Sequence, residues 1–366
     1  LGNPCAVAVD ASRNVYIGES GSRVRRVDAN GKITTVASAE NAQSGQPVPV
    51  PFSPDAGPCG LAPDRSAGLY VSQGGNDAVS RIQLDKTPWT AQAVAGRLSQ
   101  ALASLPPRKL ALFLPQGLEI AADQSILFTD AEAQRIFRSN QGSLSVFAGI
   151  GRPGFSGDSG PAVNAAFTAP IAIAGGTSGR YWIADSLNRR IRLVSPNGQI
   201  STVASGDASN PVNRLGIPLE LVAGLDGNLY FTELGKHTVR RMDSSGNMTT
   251  VAGGEQTGFA GDGGDSTSSL LNNPIGLAID PAGNLYIADA GNQAVRRINP
   301  SGRIDTIAGR GQVADWVPMP ATRAILSNPN RLSIDATGAL LIAETTSDGK
   351  AGSIRRLDST GQLIPI

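Results

Sequence analysis

The chain has 366 residues, 40% of them hydrophobic, and no run approaches the roughly 18 consecutive apolar residues that would span a membrane. Its 31 basic and 30 acidic residues leave a net charge of +1, which argues against a nucleic-acid partner and against an anionic membrane surface. Of the 31 basic residues 26 are Arg, which suits planar, multidentate pairing inside a repeated structure.

The first predicted unit runs from Cys5 to Ser38 and sets a pattern that recurs seven times. Each copy opens with a small apolar run behind a Pro, then a short turn, and then a strand such as "VYIGE" or "LYIAD". An Arg-bearing strand and a final "TVAG"-like strand complete it. The position closing the second strand marks the period: Glu19, Gln73, Asp130, Asp185, Glu233, Asp289 and Glu344, separated by 54, 57, 55, 48, 56 and 55 residues. The second and third copies are the loosest. The sixth is the clearest, with strands predicted at Ile275–Asp280, Leu285–Asp289, Ala294–Asn299 and Arg303–Gly309 around turns rich in Pro, Gly and Asn. The seventh ends near Ile364. Nothing in the unit has helical periodicity.

A four-stranded antiparallel meander cannot bury both faces alone, so copies at this period must stack on one another. The expected fold is all-β: one propeller domain over residues 1–366, with seven blades, or six if a terminal copy completes another blade. The consensus "P-x-G-L-A-I-D-x-x-G-N-L-Y-I-A-D-x-x-N-x-x-V", best kept in the units opening at Pro218 and Pro274, resembles the NHL-repeat propellers, in particular the secreted bacterial type. The resemblance covers nearly the whole chain. It implies a recognition or scaffold module, a lyase or lactonase built on zinc or calcium, or an RNA-binding domain. A single His, His237, excludes a His-based zinc site, and the balanced charge with only 5% aromatics argues against RNA.

Strand direction sends the "A-D-x-x-N" turns and the connections between blades, each of about 20 residues, to one face, here the top. Two connections share an F-x-G-D-x-G centre, carrying Phe155 with Asp158 and Phe259 with Asp262. They read either as aromatic anchors tucked over blade junctions or as ligand loops; Asp158, Asp262 and Asp265 are calcium candidates, although no D-x-D-x-D-G loop is present. Trp316 lies in a third connection. The acidic residue closing each second strand reads as a turn former paired with Arg of the next strand, with Arg26, Arg81, Arg190, Arg241, Arg297 and Arg356 as expected partners.

Local rules tend to fail at functional sites. The second position after the opening Pro is small in most copies (Ala6, Gly60, Gly117, Ala172, Gly276), as an innermost strand requires, but is Glu220 in the fifth and Arg331 in the seventh. Glu119 replaces a small residue in the third. With Gln116 and Asn330 these charges are expected at the top mouth of a central channel, either as a ligand pocket or as an internal ion pair. Cys5 and Cys59 sit at equivalent positions of adjacent copies, where a disulfide is conceivable.

The expected function is therefore non-catalytic: recognition of a protein or glycan by the top face and its loops, with no cofactor. The alternative is a calcium-dependent hydrolase, lactonase or lyase using Glu119, Glu220 and Asn330. The chain begins at Leu1 rather than Met, as a processed or excised piece would, and has only 17% charged residues, so an exported bacterial protein is expected, extracellular, periplasmic or at the cell surface, either whole or within a larger polypeptide.

Overall fold

The computed structural model describes residues 4–10, 12–19, 23–28, 31–38, 48–49, 58–64, 67–73, 78–85, 90–96, 115–140, 143–207, 214–310, 319–335, 337–345 and 352–365. Seven antiparallel meanders of four strands follow one another along the chain, and the first and seventh each gain a further two-residue strand, Val48–Pro49 and Met319–Pro320, at the outer edge. In the sixth the strands are Pro274–Ile279, Leu285–Asp289, Ala294–Ile298 and Ile304–Gly309, within a residue or two of expectation. The first strands of successive sheets pack side by side, and that of the first sheet, Pro4–Val9, packs against that of the seventh, Pro329–Ile334. The sheets thus close into a ring around a channel lined by seven inner strands.

Seven blades, not six, close the ring. The first and seventh each supply all four of their own strands, so among the described residues the seam is closed by packing rather than strand exchange. Val15, Ile17 and Val27 meet Leu341, Ala343 and Ile354 there, all buried. Each junction repeats this arrangement: between blades five and six, Val239, Leu271, Ile287 and Ile304 are fully buried. Burial of such a side chain is worth roughly 1.5–3 kcal/mol.

The inner ring explains the small residues after each Pro. A Cβ on Gly117 would come within 2.9 Å of the Ile171 carbonyl oxygen, and one on Gly276 within 2.8 Å of that of Asn330. These are backbone atoms of the next inner strand, which cannot yield as a side chain would. Every first strand also carries a β-bulge against its partner just after the Pro, where the extra residue re-aims the chain. Hydroxyls tie the bulge to the neighbouring blade. Thr129 accepts from the Gly117 N–H at 2.9 Å and donates to Ile171 O at 3.2 Å, and Thr232 repeats this between Glu220 and Ile275.

One connection departs from the expected length. Between Ser205 and Ile217 only residues 206–216 join blades four and five, which accounts for the 48-residue spacing there.

Candidate functional site

In every blade but the second, where Gln73 stands instead, a carboxylate closes the second strand at the top. In blade four Asp185 is fully buried; its Oδ1 accepts the Thr168 N–H at 2.7 Å, and the Asn188 amide reaches both carboxylate oxygens at 2.9 Å. Arg189 follows in the left-handed region at φ 50°, which turns the chain into the third strand. Blade six repeats this with Asp289, Asn272, Asn292 and Gln293. Burial pushes both aspartates up to about 6, against the opposing pull of the Asn amides, the backbone N–H donors and the nearby Arg.

The arginine partners are not those expected: they sit one position earlier in blades five, six and seven, and two positions later in blade four, where Arg192 rather than Arg190 is the partner. Arg192, Arg240, Arg296 and Arg355 lie beside the top carboxylates. The next Arg points to the opposite sheet face, where Arg81 pairs with Asp64 and Arg356 with Asp335 in the bottom turns. Alternation along a strand separates the two Arg of a V-R-R run in this way.

The F-x-G-D loops are clamps on these arginines. Arg192, with no exposed side-chain surface, donates to Asp158 Oδ1 at 2.9 Å and to Ser156 O at 3.0 Å. Arg296 reaches Asp262 Oδ1 at 2.8 Å and Ala260 O at 3.1 Å. Asp265 caps a short turn at Thr267. Phe155 is not the buried anchor: it is 42% exposed and lies face-on to Arg190 and Arg192, at 3.8 and 4.9 Å. Phe259 stacks likewise on Arg296 and Arg310. The anchors are Ala162, Ala165 and Phe167, buried in the junction between blades three and four. Trp316 lies outside the described residues, as do the side chains of Cys5 and Cys59.

His237 has a structural part. Its Nδ1 accepts the Asn273 N–H at 3.0 Å, as Gln134 Oε1 accepts that of Ala169 at 2.8 Å two blades earlier.

In the channel, Glu220 and Arg331 approach to 3.7 Å across the inner strand of blade six. Burial raises the Glu220 carboxyl and Arg331 lowers it, but 30% of the Glu220 side chain remains accessible, so solvent tempers the rise. Glu119 turns instead towards blade four and takes the Gly175 N–H; a Cβ on Gly175 would lie 2.6 Å from its Oε1. Burial pushes Glu119 up to about 7. Asn330 donates to Thr345, while its buried Oδ1 has no protein donor. Gln116 lies half-buried on the inner strand of blade three, its carbonyl against Gly60. Glu220, Arg331 and Asn330 therefore cluster at the mouth, and Glu119 lies deeper. Among the described residues no three Asp, Glu, His or Cys side chains group as a metal ion would require.

The Teneurin NHL domain model matches residues 159–336, which take in blades four to six with their linkers and the first strand of blade seven. The chain is an NHL-repeat propeller. Teneurin-1 of Mus musculus is 26% identical over 226 residues, covering 54% of this chain. The propeller spans only 8% of the length of that relative. Among solved structures, virginiamycin B lyase from Staphylococcus aureus superposes at TM-score 0.65 with 16% identity, covering all of this chain and 95% of its own. An auxiliary nutrient binding protein from Bacteroides thetaiotaomicron gives 0.56 at 11% identity, covering 96% and 88%. At such identities these likenesses speak for the fold alone.

Proposed function

We propose that this NHL propeller is a non-catalytic binding platform that recognises a protein or glycan through its top face, in an extracellular, periplasmic or cell-surface setting. One observation carries the reading. Leu187, 64% exposed, stands on the A-D-x-x-N turn of blade four beside the 42% exposed Phe155, and both are held by the rigid Asp185–Asn188–Arg192 network. Apolar side chains displayed on a preorganised turn lose little entropy on binding, which is what an interface anchor needs. Low charge and Thr-rich strands support the extracytoplasmic setting.

The catalytic alternative draws on Glu119, whose carboxyl sits near neutrality in the channel. Calcium does not fit the donors well, because Glu119 is turned to Gly175 and Glu220 to Arg331.

A photo-cross-linking residue at Leu187 in the producing cell, together with a glycan array of the purified chain, tests the platform. One partner or glycan class is expected, lost at least about tenfold in Leu187→Asp with thermal melting unchanged. Calcium-dependent turnover of a lactone, abolished by Glu220→Gln, would overturn the reading in favour of an enzyme.

A further inference from the structure

The two mouths of the channel differ in chemistry. The top mouth has Glu220, Arg331 and Asn330. At the bottom, Val9, Ile279 and Ile334 end the inner strands of blades one, six and seven, and Val222 stands one residue before the end of that of blade five; each is half-buried and lines a cavity of about 420 Å³. That volume falls within the range of roughly 300–1,000 Å³ typical of small-molecule sites. Leu225, on the turn of blade five, overhangs it with 75% of its surface exposed, the most exposed large apolar side chain among the described residues.

The polar part of the lining has one sign. Asp10, Asp280 and Asp335 border the cavity, and no Lys, Arg or His lines it. Each carboxylate is fixed by its own turn: Asp10 by Asn14 and Tyr16, Asp280 by Asn284 and Tyr286, Asp335 by Thr337 and Ala339. Arg356 lies against Asp335 at 2.9 Å, so that charge is partly answered by the protein itself. Burial pushes Asp280 and Asp335 up, but those hydrogen bonds outweigh it and hold both below the usual carboxylate range. Both therefore stay ionised at neutral pH. Blades three, four and five offer no such group, since Ala121, Gly176 and Gly224 stand at the equivalent positions, and Asp64 of blade two is paired with Arg81 at 2.7 Å. At the cavity itself the carboxylates of blades one, six and seven stand beside the aliphatic collar.

We propose that this bottom cavity binds a small organic monocation, an alkyl- or aryl-ammonium, with its apolar body on the Val9, Val222, Ile279 and Ile334 collar and its charge towards Asp10 and Asp280. A neutral molecule of the same shape would use only the collar, and an anion would meet the carboxylates. The site is separate from the top face and does not depend on what binds there.

The test titrates the purified chain with phenethylammonium, 2-phenylethanol and phenylacetate by calorimetry or ligand-observed NMR at low ionic strength. Saturable one-site binding is expected, with the ammonium at least about tenfold tighter than the alcohol and the carboxylate weakest. Leu225→Lys puts a cation at an exposed rim position that the fold does not use, and is expected to weaken the ammonium about tenfold at unchanged thermal melting. Val222→Trp is expected to fill the cavity and abolish binding of all three. Absence of saturable binding, equal affinity for the ammonium and the alcohol, or an affinity indifferent to Leu225→Lys would each overturn the proposal.

Discussion

The junction entering blade six and the junction entering blade seven hold an equivalent arginine with carboxylates of different length. Glu344 meets Arg355 in a fork, at 2.5 and 2.7 Å. Asp289 stops at 3.6 Å from Arg296, short by about a methylene. The linker into blade six then brings Asp262 to 2.8 Å, whereas the described part of the linker into blade seven brings only the Ile325 carbonyl. Blade four follows the aspartate solution, with Asp185 at 3.6 Å from Arg192 and Asp158 at 2.9 Å. A buried guanidinium needs a close carboxylate, because partial pairing leaves most of its desolvation cost standing. The F-x-G-D loop thus accompanies Asp and is absent beside Glu344. Reach alone is not sufficient: Glu233 stays 3.8 Å from Arg240 and spends its oxygens on the Gly216 N–H and the Thr238 hydroxyl.

The largest expected effect comes from removing the cation. Arg296→Met leaves Asp289 buried without a charge partner and should cost about 3–5 kcal/mol in chemical denaturation. Arg355→Met should cost a similar amount, since Glu344 is equally buried. Asp262→Asn, at a side chain 45% exposed, should cost about 1 kcal/mol or less. A loss at Asp262 matching that at Arg296 would refute the view that the linker carboxylate only supplements Asp289.

The next effect depends on pH. Asp185 and Asp289 titrate at about 6 in the folded chain, against about 3.9 for an unfolded Asp. The folded state therefore holds more protons between these values. The stability this confers is fully present below about pH 4 and is lost as pH rises through about 6. Each should contribute about 1–3 kcal/mol of slope across that window. Asp185→Asn with Asp289→Asn should flatten the slope, whatever it does to stability at a single pH.

A smaller effect tests carboxylate length directly. In Asp289→Glu the added methylene should close the 3.6 Å gap to Arg296. A double-mutant cycle between Arg296 and Asp262 should then fall from about 1 kcal/mol to near zero. An unchanged coupling would mean that the Asn272 and Asn292 contacts, not reach, fix the geometry.

Much of this was legible in the sequence, and where it was not the reason is spatial. The period and turn residues gave the blades almost to the residue, because each strand is specified by its own alternation and its own Gly or Asn turn. Gly117 and Gly276 marked the crowded inner ring correctly, since a Cβ there strikes the neighbouring backbone. Charges at Glu220 and Arg331 stood out as departures from that rule, and the fold brings them to 3.7 Å. In blades five to seven the clamp was misassigned because two successive arginines are on offer, and only the direction of the sheet face selects Arg296 over Arg297 for Asp289. From the sequence Phe155 reads either as a junction anchor or as a ligand-loop residue; in the fold its face is taken by two guanidiniums and it remains 42% exposed. Nothing local in the sequence could point to the bottom cavity, which is made by strand ends from four different blades.

The smallest prediction concerns His237, the one residue whose chemistry most invites a catalytic reading. Its ring accepts the Asn273 N–H, and Gln134 does the same for Ala169 at the other F-x-G-D junction. Both residues hold the left-handed turn before a third strand, at φ 53° and 54°. Both acceptors also serve the residue just before a strand-opening Pro, itself left-handed at φ 51° in each junction. An acceptor of similar reach is therefore all the position asks for. His237→Gln should leave stability unchanged within about 0.5 kcal/mol, while His237→Ala should lose about 0.5–1.5 kcal/mol by orphaning the Asn273 N–H. If the glutamine variant kept its stability but lost a turnover or a binding activity that the wild type possesses, the imidazole would have chemistry of its own, and the parallel with Gln134 would describe only half of what it does.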